Sequence, residues 1–174
     1  MKDSILPIIL FIILFVVIML ITQKARSERH YDEMQLQIRK NGYKLSFIVV
    51  MVLTMITGIA YEFAGDVIAA LVSPGMIMIS IALIGVIVLS IYSIAKDSFF
   101  AINEKGIPYM ILCGAIAGIN IIALISTIND GEFFKDNILT FKEGGANMAM
   151  TVFFLTIFVA IAVKKISSRK VEVE

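Results

Sequence analysis

The sequence predicts an all-α membrane protein with five transmembrane helices, the N-terminus outside and the C-terminus inside. This prediction rests on the composition, on five long apolar runs and on an uneven distribution of lysine and arginine. Hydrophobic residues make up 59% of the 174 residues, against ~45–50% in soluble domains. A soluble domain of this size cannot bury so much apolar surface. The composition therefore excludes soluble globular, disordered and disulfide-stapled secreted proteins.

Five apolar runs are each long enough to cross a hydrocarbon core of about 30 Å, which needs about 20 helical residues. They comprise residues 5–22, 45–63, 76–95, 107–128 and 146–163 of a single membrane domain, residues 1–174. The first run exceeds the ~7–15 apolar residues of a signal peptide, and no small-residue cleavage site follows it. We therefore expect it to remain as a helix.

Residues 67–72 form a shorter apolar piece between the second and third runs, followed by Ser73-Pro74-Gly75. A continuous helix over residues 66–95 would overshoot the bilayer, and Pro74 would remove one of its hydrogen bonds. We expect an interfacial short helix or a re-entrant piece here. A long, kinked and tilted helix is the alternative.

The orientation follows from the basic residues, which favour the cytoplasmic side. With five spans, twelve lysines and arginines lie on one side of the membrane and three on the other. The richer side includes the basic segment 23–44 and the C-terminal tail. The sequence thus predicts that these segments are cytoplasmic.

Residues 27–40 are predicted to form a short cytoplasmic helix that Ser27 can cap. Its basic and aromatic residues are candidates for contact with a protein partner or with anionic lipid. They are Arg29, Tyr31, Arg39 and Lys40. The alternative is a solvated connector that only determines orientation.

Two patches carry a resemblance to known proteins. Residues 31–39 (YDEMQLQIR) lead into the second run, and residues 96–104 (KDSFFAINE) follow the third. They resemble patches of a group of small, functionally uncharacterised multi-pass membrane proteins of Gram-positive bacteria, many encoded beside small helix-turn-helix regulators. The resemblance implies a bacterial plasma-membrane protein and supplies no ligand or functional residue.

Two links predicted to lie outside share the pattern E-F-x-x-D-x-I, seventy residues apart, beginning at Glu62 and at Glu132. Gly75 and Gly145 obey the same offset, so the chain is a candidate parallel repeat of two helical hairpins, over residues 45–95 and 107–165. Glu62, Asp66, Glu132 and Asp136 are then candidates for an acidic mouth that binds a cation or a basic peptide. Ordinary interfacial acids are the alternative.

Three residues of the fourth run matter for packing and polarity. Asn120 is an amide near mid-depth, where it either bonds another helix or contributes to a polar site. Gly114 and Gly118 form a small-residue stripe that favours close helix approach, within the chain or in a homo-oligomer.

The sequence lacks the residues of familiar enzyme sites. Cys113 and His30 are the only cysteine and histidine, which excludes a cysteine metal cluster and a two-histidine zinc motif. His30 lies among charges in the basic segment, which argues against a Ser-His-Asp site, and no phosphate-binding loop motif occurs. We predict no enzyme, no cofactor and, with a net charge of +1, no nucleic-acid partner.

These observations predict a small plasma-membrane protein with a non-enzymatic binding, regulatory or accessory role. Its partners are the lipid bilayer and a membrane or cytoplasmic protein. A small transporter or channel-like carrier that uses the outer carboxylates and Asn120 is the alternative. An immunity protein against a membrane-active peptide is a third hypothesis.

Overall fold

The computed structural model describes residues 31–171 apart from 103, 105 and 135, with side chains up to residue 167. This part of the chain is all-helical and contains no β-strand. Its four helices are α1 (Glu33–Leu71), α2 (Pro74–Ala95), α3 (Gly106–Asn129) and α4 (Ala146–Val171). All four are long and apolar enough to cross a membrane. The first predicted span, residues 5–22, and Arg29 lie outside the described residues.

Helix α1 begins later than the predicted cytoplasmic helix. Tyr31 and Asp32 are not helical, and the Asp32 carboxylate caps the helix by accepting a hydrogen bond of 2.5 Å from the Gln35 amide. The prediction of one helix over residues 27–40 is therefore wrong in its bounds. Asp32 is a favourable cap for the sequence that follows, and the helix then continues without a break into the second apolar run.

The end of α1 is kinked. Ala64 leaves the helical conformation (φ −140°, ψ 28°), one residue after the predicted end of the second run. Residues 65–71 form a short helical piece, and Val72 and Ser73 are extended. A continuous helix over residues 66–95 therefore does not form. Ser73 caps α2, and Pro74 occupies its first turn, where the missing N–H costs nothing.

The link between α3 and α4 turns sharply and docks on the α1–α2 junction. Gly131, with φ 72°, ends α3 in a Schellman motif. Leu139 pairs in parallel with Val72, through backbone hydrogen bonds of 2.9 Å to Leu71 and Ser73. A π-helical turn, Phe141–Gly145, then leads into α4.

The helices form an open row in the order α1, α2, α4, α3, and in the described residues the backbones of α1 and α3 do not approach each other. Contacts between glycines and facing side chains give the directions. Gly42 of α1 lies against Leu89 and Tyr92 near the end of α2, whereas Gly85 of α2 lies against Ser46 and Val50 further along α1, so these helices are antiparallel. Gly114 of α3 lies against Phe158 of α4, and Met110 and Ile161 line one cavity, so α3 and α4 are also antiparallel. Helices α2 and α4 are parallel, because Gly145 lies against Met76 at their starts and Lys164 bonds the carbonyl of Ala95 at their ends.

Much of the apolar surface of the row faces outward, as lipid-facing helices require. Only a few apolar side chains are buried in the described part, and in the apolar portion of α1 residues such as Met55 and Ile59 are more than half exposed. Close packing and hydrogen bonds between helices hold the row together in place of a large hydrophobic core. The hydroxyl of Ser46 donates a hydrogen bond of 2.6 Å to the carbonyl of Gly85 and so joins α1 to α2.

The close approach at Gly85 yields a test of the row. A side chain at this position would overlap Val50, so Gly85→Leu should lower the free energy of unfolding in detergent micelles by about 1–3 kcal/mol. At Gly58 of α1, an added Cβ would have no neighbouring atom within 4 Å. Gly58→Leu is therefore the matched control and should stay within about 0.5 kcal/mol of the wild type. Equal losses in both variants would contradict the α1–α2 packing.

Candidate functional site

One end of the row is organised around the link between α2 and α3. We define the polar end as residues 31–44, the link 96–104, and Lys164 with Lys165 of α4. Gln35 of α1 donates hydrogen bonds to the carbonyls of Asp97 (2.8 Å) and Phe100 (3.3 Å). Arg39, one turn further on, donates to the carbonyl of Ser98 at 3.5 Å. The start of α1 thus holds the backbone of the link.

Asp97 joins the link to α4. Helix α2 ends in a Schellman motif, in which Ser98 N bonds Ser93 O and Asp97 N bonds Ile94 O. This motif requires a left-handed residue, and Asp97 has φ 57°. Its carboxylate accepts from Lys164 Nζ at 2.7 Å, and Lys164 also donates to the carbonyl of Ala95 at 3.1 Å. The end of α4 is therefore tied to the end of α2.

A second set of contacts closes the link onto α3. Glu104 accepts from the Ala101 amide (3.2 Å) and from the hydroxyl of Tyr109 (2.9 Å). The Phe100 ring packs edge-to-face against Phe99 and at a tilt against Tyr109, with ring centroids 4.9 and 5.3 Å apart. The link is thus a packed structure between three helices.

Phe99 and Phe100 separate two cavities at the polar end. One, of about 320 Å³, lies between the ends of α2, α3 and α4. The other, of about 170 Å³, is more polar, and Arg39, Ser90, Ser93 and Glu104 contribute to its lining. Sequence reasoning missed both cavities, because they depend on contacts between distant segments.

The predicted contact residues at this end have different environments. The guanidinium of Arg39 lies 4.5 Å from the ring centroid of Tyr31, a cation–π contact. Lys40 is exposed. The sequence did not predict the residues that hold the link, which are Gln35, Asp97, Glu104 and Lys164. Aspartate tolerates the left-handed conformation better than most residues, so an aspartate two residues after the end of an apolar run is a signal that could have identified Asp97.

Two of the four acids of the predicted acidic mouth lie together at the opposite end of the row. Glu132 and Asp136 line an open cavity of about 700 Å³, together with Lys142, Glu143 and Asn147. One carboxylate oxygen of Glu143 is buried and has no hydrogen-bond partner in the described part of the chain.

The other two predicted acids do not join this cavity. Glu62 and Asp66 lie at exposed positions of α1, outside its lining. Among the described residues, no three histidine, cysteine or acidic side chains are placed to hold a metal ion.

The two copies of E-F-x-x-D-x-I differ in local structure. The first spans the helical end of α1, whereas the second is a turn in which Asp136 and Asn137 have φ values of 52° and 66°. One contact lies at a similar place in the two hairpins. The contact of Gly114 with Phe158, shifted back by seventy residues, falls within a turn of the contacts of Gly42 with Leu89 and Tyr92. The duplication stays a prediction.

The three residues of α3 singled out in the sequence have different surroundings. Asn120 donates a hydrogen bond of 2.9 Å to the carbonyl of Ile116 in its own helix. A Cβ at Gly114 would lie 3.2 Å from the Phe158 ring, so this glycine packs within the chain. A Cβ at Gly118 would have no neighbouring atom within 4 Å.

Comparisons of this chain with protein-family models, with curated proteins and with solved structures find no match.

Asp97 offers a test of the polar end. Asp97→Asn removes the charge but tolerates the left-handed backbone, so it should lower the free energy of unfolding by no more than about 1 kcal/mol, the usual contribution of an exposed ion pair. Asp97→Val should lower it by a further 1–2 kcal/mol or so, because a branched residue is strained at φ 57°. Thermal or denaturant unfolding in micelles measures both. A valine variant as stable as the asparagine variant would contradict the Schellman geometry.

Proposed function

We propose that this chain is a small plasma-membrane protein of five spans with a non-enzymatic binding role, regulatory or accessory, and that the polar end is its cytoplasmic, partner-facing surface. The excess of lysine and arginine in the segments of this end supports the orientation. Residues 5–22 supply the additional span, with the N-terminus outside.

Cysteine labelling tests this topology. In a Cys113→Ala background, an impermeant maleimide added to intact cells should modify Lys142→Cys and Lys2→Cys but not Lys40→Cys. Lys40→Cys should react only after permeabilisation, since it lies on the cytoplasmic side. Modification of Lys2→Cys only after permeabilisation would indicate four spans, and modification of Lys40→Cys in intact cells would reverse the orientation.

One observation carries the binding role: the link 96–104 is held by side chains of α1 and α4 and packs against α3. Such preorganisation reduces the entropy lost on binding. The surface beside it combines exposed cations with exposed apolar side chains. Lys40, Lys44 and Lys96 are exposed, and Met34 and Ile102 are 74% and 67% exposed. This mixture fits a cytoplasmic protein with acidic and apolar groups on its contact face.

Site-specific photocrosslinking tests the binding role. A photoreactive amino acid at position 34 should give a discrete adduct, whereas the same probe at position 59 in the apolar part of α1 should not. Gln35→Ala should lower the yield at position 34 by roughly five-fold or more, because each lost hydrogen bond to the link contributes about 1 kcal/mol.

Gln37→Ala is the matched control for this experiment, since Gln37 lies two residues from Gln35 on the same helix and its side chain is exposed. It should leave the adduct unchanged. An adduct that also forms from position 59, or that responds equally to both glutamine variants, would contradict a preorganised binding surface.

A small transporter or channel-like carrier stays the alternative, with Glu62, Asp66, Glu132, Asp136 and Asn120 as its polar groups. The joint lining of one cavity by Glu132 and Asp136 favours contact with a cation or a basic peptide at that end. An immunity protein against a membrane-active peptide would use the same acids. The bond of Asn120 within its own helix offers no support for a polar path through the row.

A further inference from the structure

The larger cavity of the polar end is apolar inside and charged at its border. Its volume is about 320 Å³, near the lower limit of about 300 Å³ for ligand pockets. Most of its wall is hydrocarbon, from three helices and the link. The apolar lining residues are Ile94, Phe99, Phe100, Ile107, Met110 and Ile161. A cavity of this kind favours an apolar chain over a soluble ion.

The border of the cavity carries an excess of positive charge. Lys164 and Lys165 both line it, and Asp97 is the acidic residue among the lining residues. Asp97 pairs with Lys164 at 2.7 Å. Lys165 has no carboxylate partner of its own among the described residues, so its charge is available to an anion.

The start of α3 adds to this charge. Gly106 lines the cavity and has no side chain, so its backbone forms that part of the wall. It is the first residue of a 24-residue helix. The first N–H groups of a helix have no partner within the helix, and the helix dipole makes this end partly positive. An anion at the border is therefore favoured from two directions.

We propose that this cavity binds an anionic phospholipid, with part of one acyl chain among the apolar residues and the phosphate beside Lys165 and the start of α3. Basic pockets at the ends of membrane-spanning helices have the right chemistry for such headgroups. The proposal goes beyond the protein-binding role, because it concerns a cavity between α2, α3 and α4 and requires no protein partner.

Fluorescence quenching by brominated lipid tests this proposal. The chain contains no tryptophan, so Ile107→Trp places a single reporter at the border of the cavity, where Ile107 is 45% exposed. The full chain is reconstituted in phosphatidylcholine nanodiscs that contain a small fraction of brominated phosphatidylglycerol or brominated phosphatidylcholine. Phosphatidylglycerol should quench the reporter at lower mole fraction.

Further variants of the Ile107→Trp protein test which residues cause the preference for phosphatidylglycerol. Lys165→Gln should reduce the preference for phosphatidylglycerol about five-fold, the effect expected for one lysine near an anionic headgroup, and Lys165→Arg should retain it. Lys40→Gln removes an exposed charge from the same end, outside the cavity lining, and should leave the preference unchanged. Circular dichroism and thermal unfolding confirm that each variant is folded.

Three results would overturn the proposal. The first is equal quenching by the two lipids, and the second is an equal loss in Lys165→Gln and Lys40→Gln, which would indicate a general surface attraction. The third is complete displacement by inorganic phosphate at constant ionic strength, which would indicate a site for a soluble anion. Weak competition by phosphate, with the preference retained, supports the lipid.

Discussion

The parallel contact between α2 and α4 is the constraint on which the rest of the structure depends. Two parallel helices cannot be joined by a tight turn. Helix α3 must therefore return the chain to the other end of the row before α4 begins. Lipid supplies no hydrophobic drive for helices to associate, and close packing and polar bonds must hold them. At one end Lys164 bonds the carbonyl of Ala95 and the carboxylate of Asp97, and at the other Gly145 lies against Met76. These ties align the two hairpins.

The two ends of this central pair differ in chemistry. At the polar end, side chains from α1, α3 and α4 converge on the link 96–104 and enclose two cavities. At the other end, the longer link is joined to the α1–α2 junction mainly through the backbone of Leu139, and its acids line an open cavity. The packed end is suited to a defined binding surface, whereas the acidic end is suited to looser electrostatic contact.

Hydropathy predicts the helices well, because a long apolar segment in a membrane can satisfy its backbone hydrogen bonds in few structures other than a helix. Each predicted run from residue 45 onward falls within a helix of the structure, and the run that ends at residue 63 meets the kink at Ala64. The start of α1 was harder to predict, because Ser27 and Asp32 are both good caps and local pattern does not rank them.

The candidate site was largely beyond prediction from the sequence. Gln35 and Asp97 are separated by 62 residues, and Lys164 and Asp97 by 67. A bond across such a separation depends on the order of helices in the row, which hydropathy does not specify. The acids were easier to identify, because turns and helix ends expose them. Of the four predicted acids, two, Glu132 and Asp136, line the same cavity.

The open row also determines how much lipid its four helices, taken by themselves, can touch. Four helices in a row have a longer perimeter in the membrane plane than the same helices in a closed bundle, because the inner flanks stay in contact with acyl chains. A larger share of the helix surface is therefore in contact with annular lipid. Bilayer thickness and lateral pressure act on such a row along both broad sides. A change in bilayer thickness therefore reaches the helices of both hairpins directly.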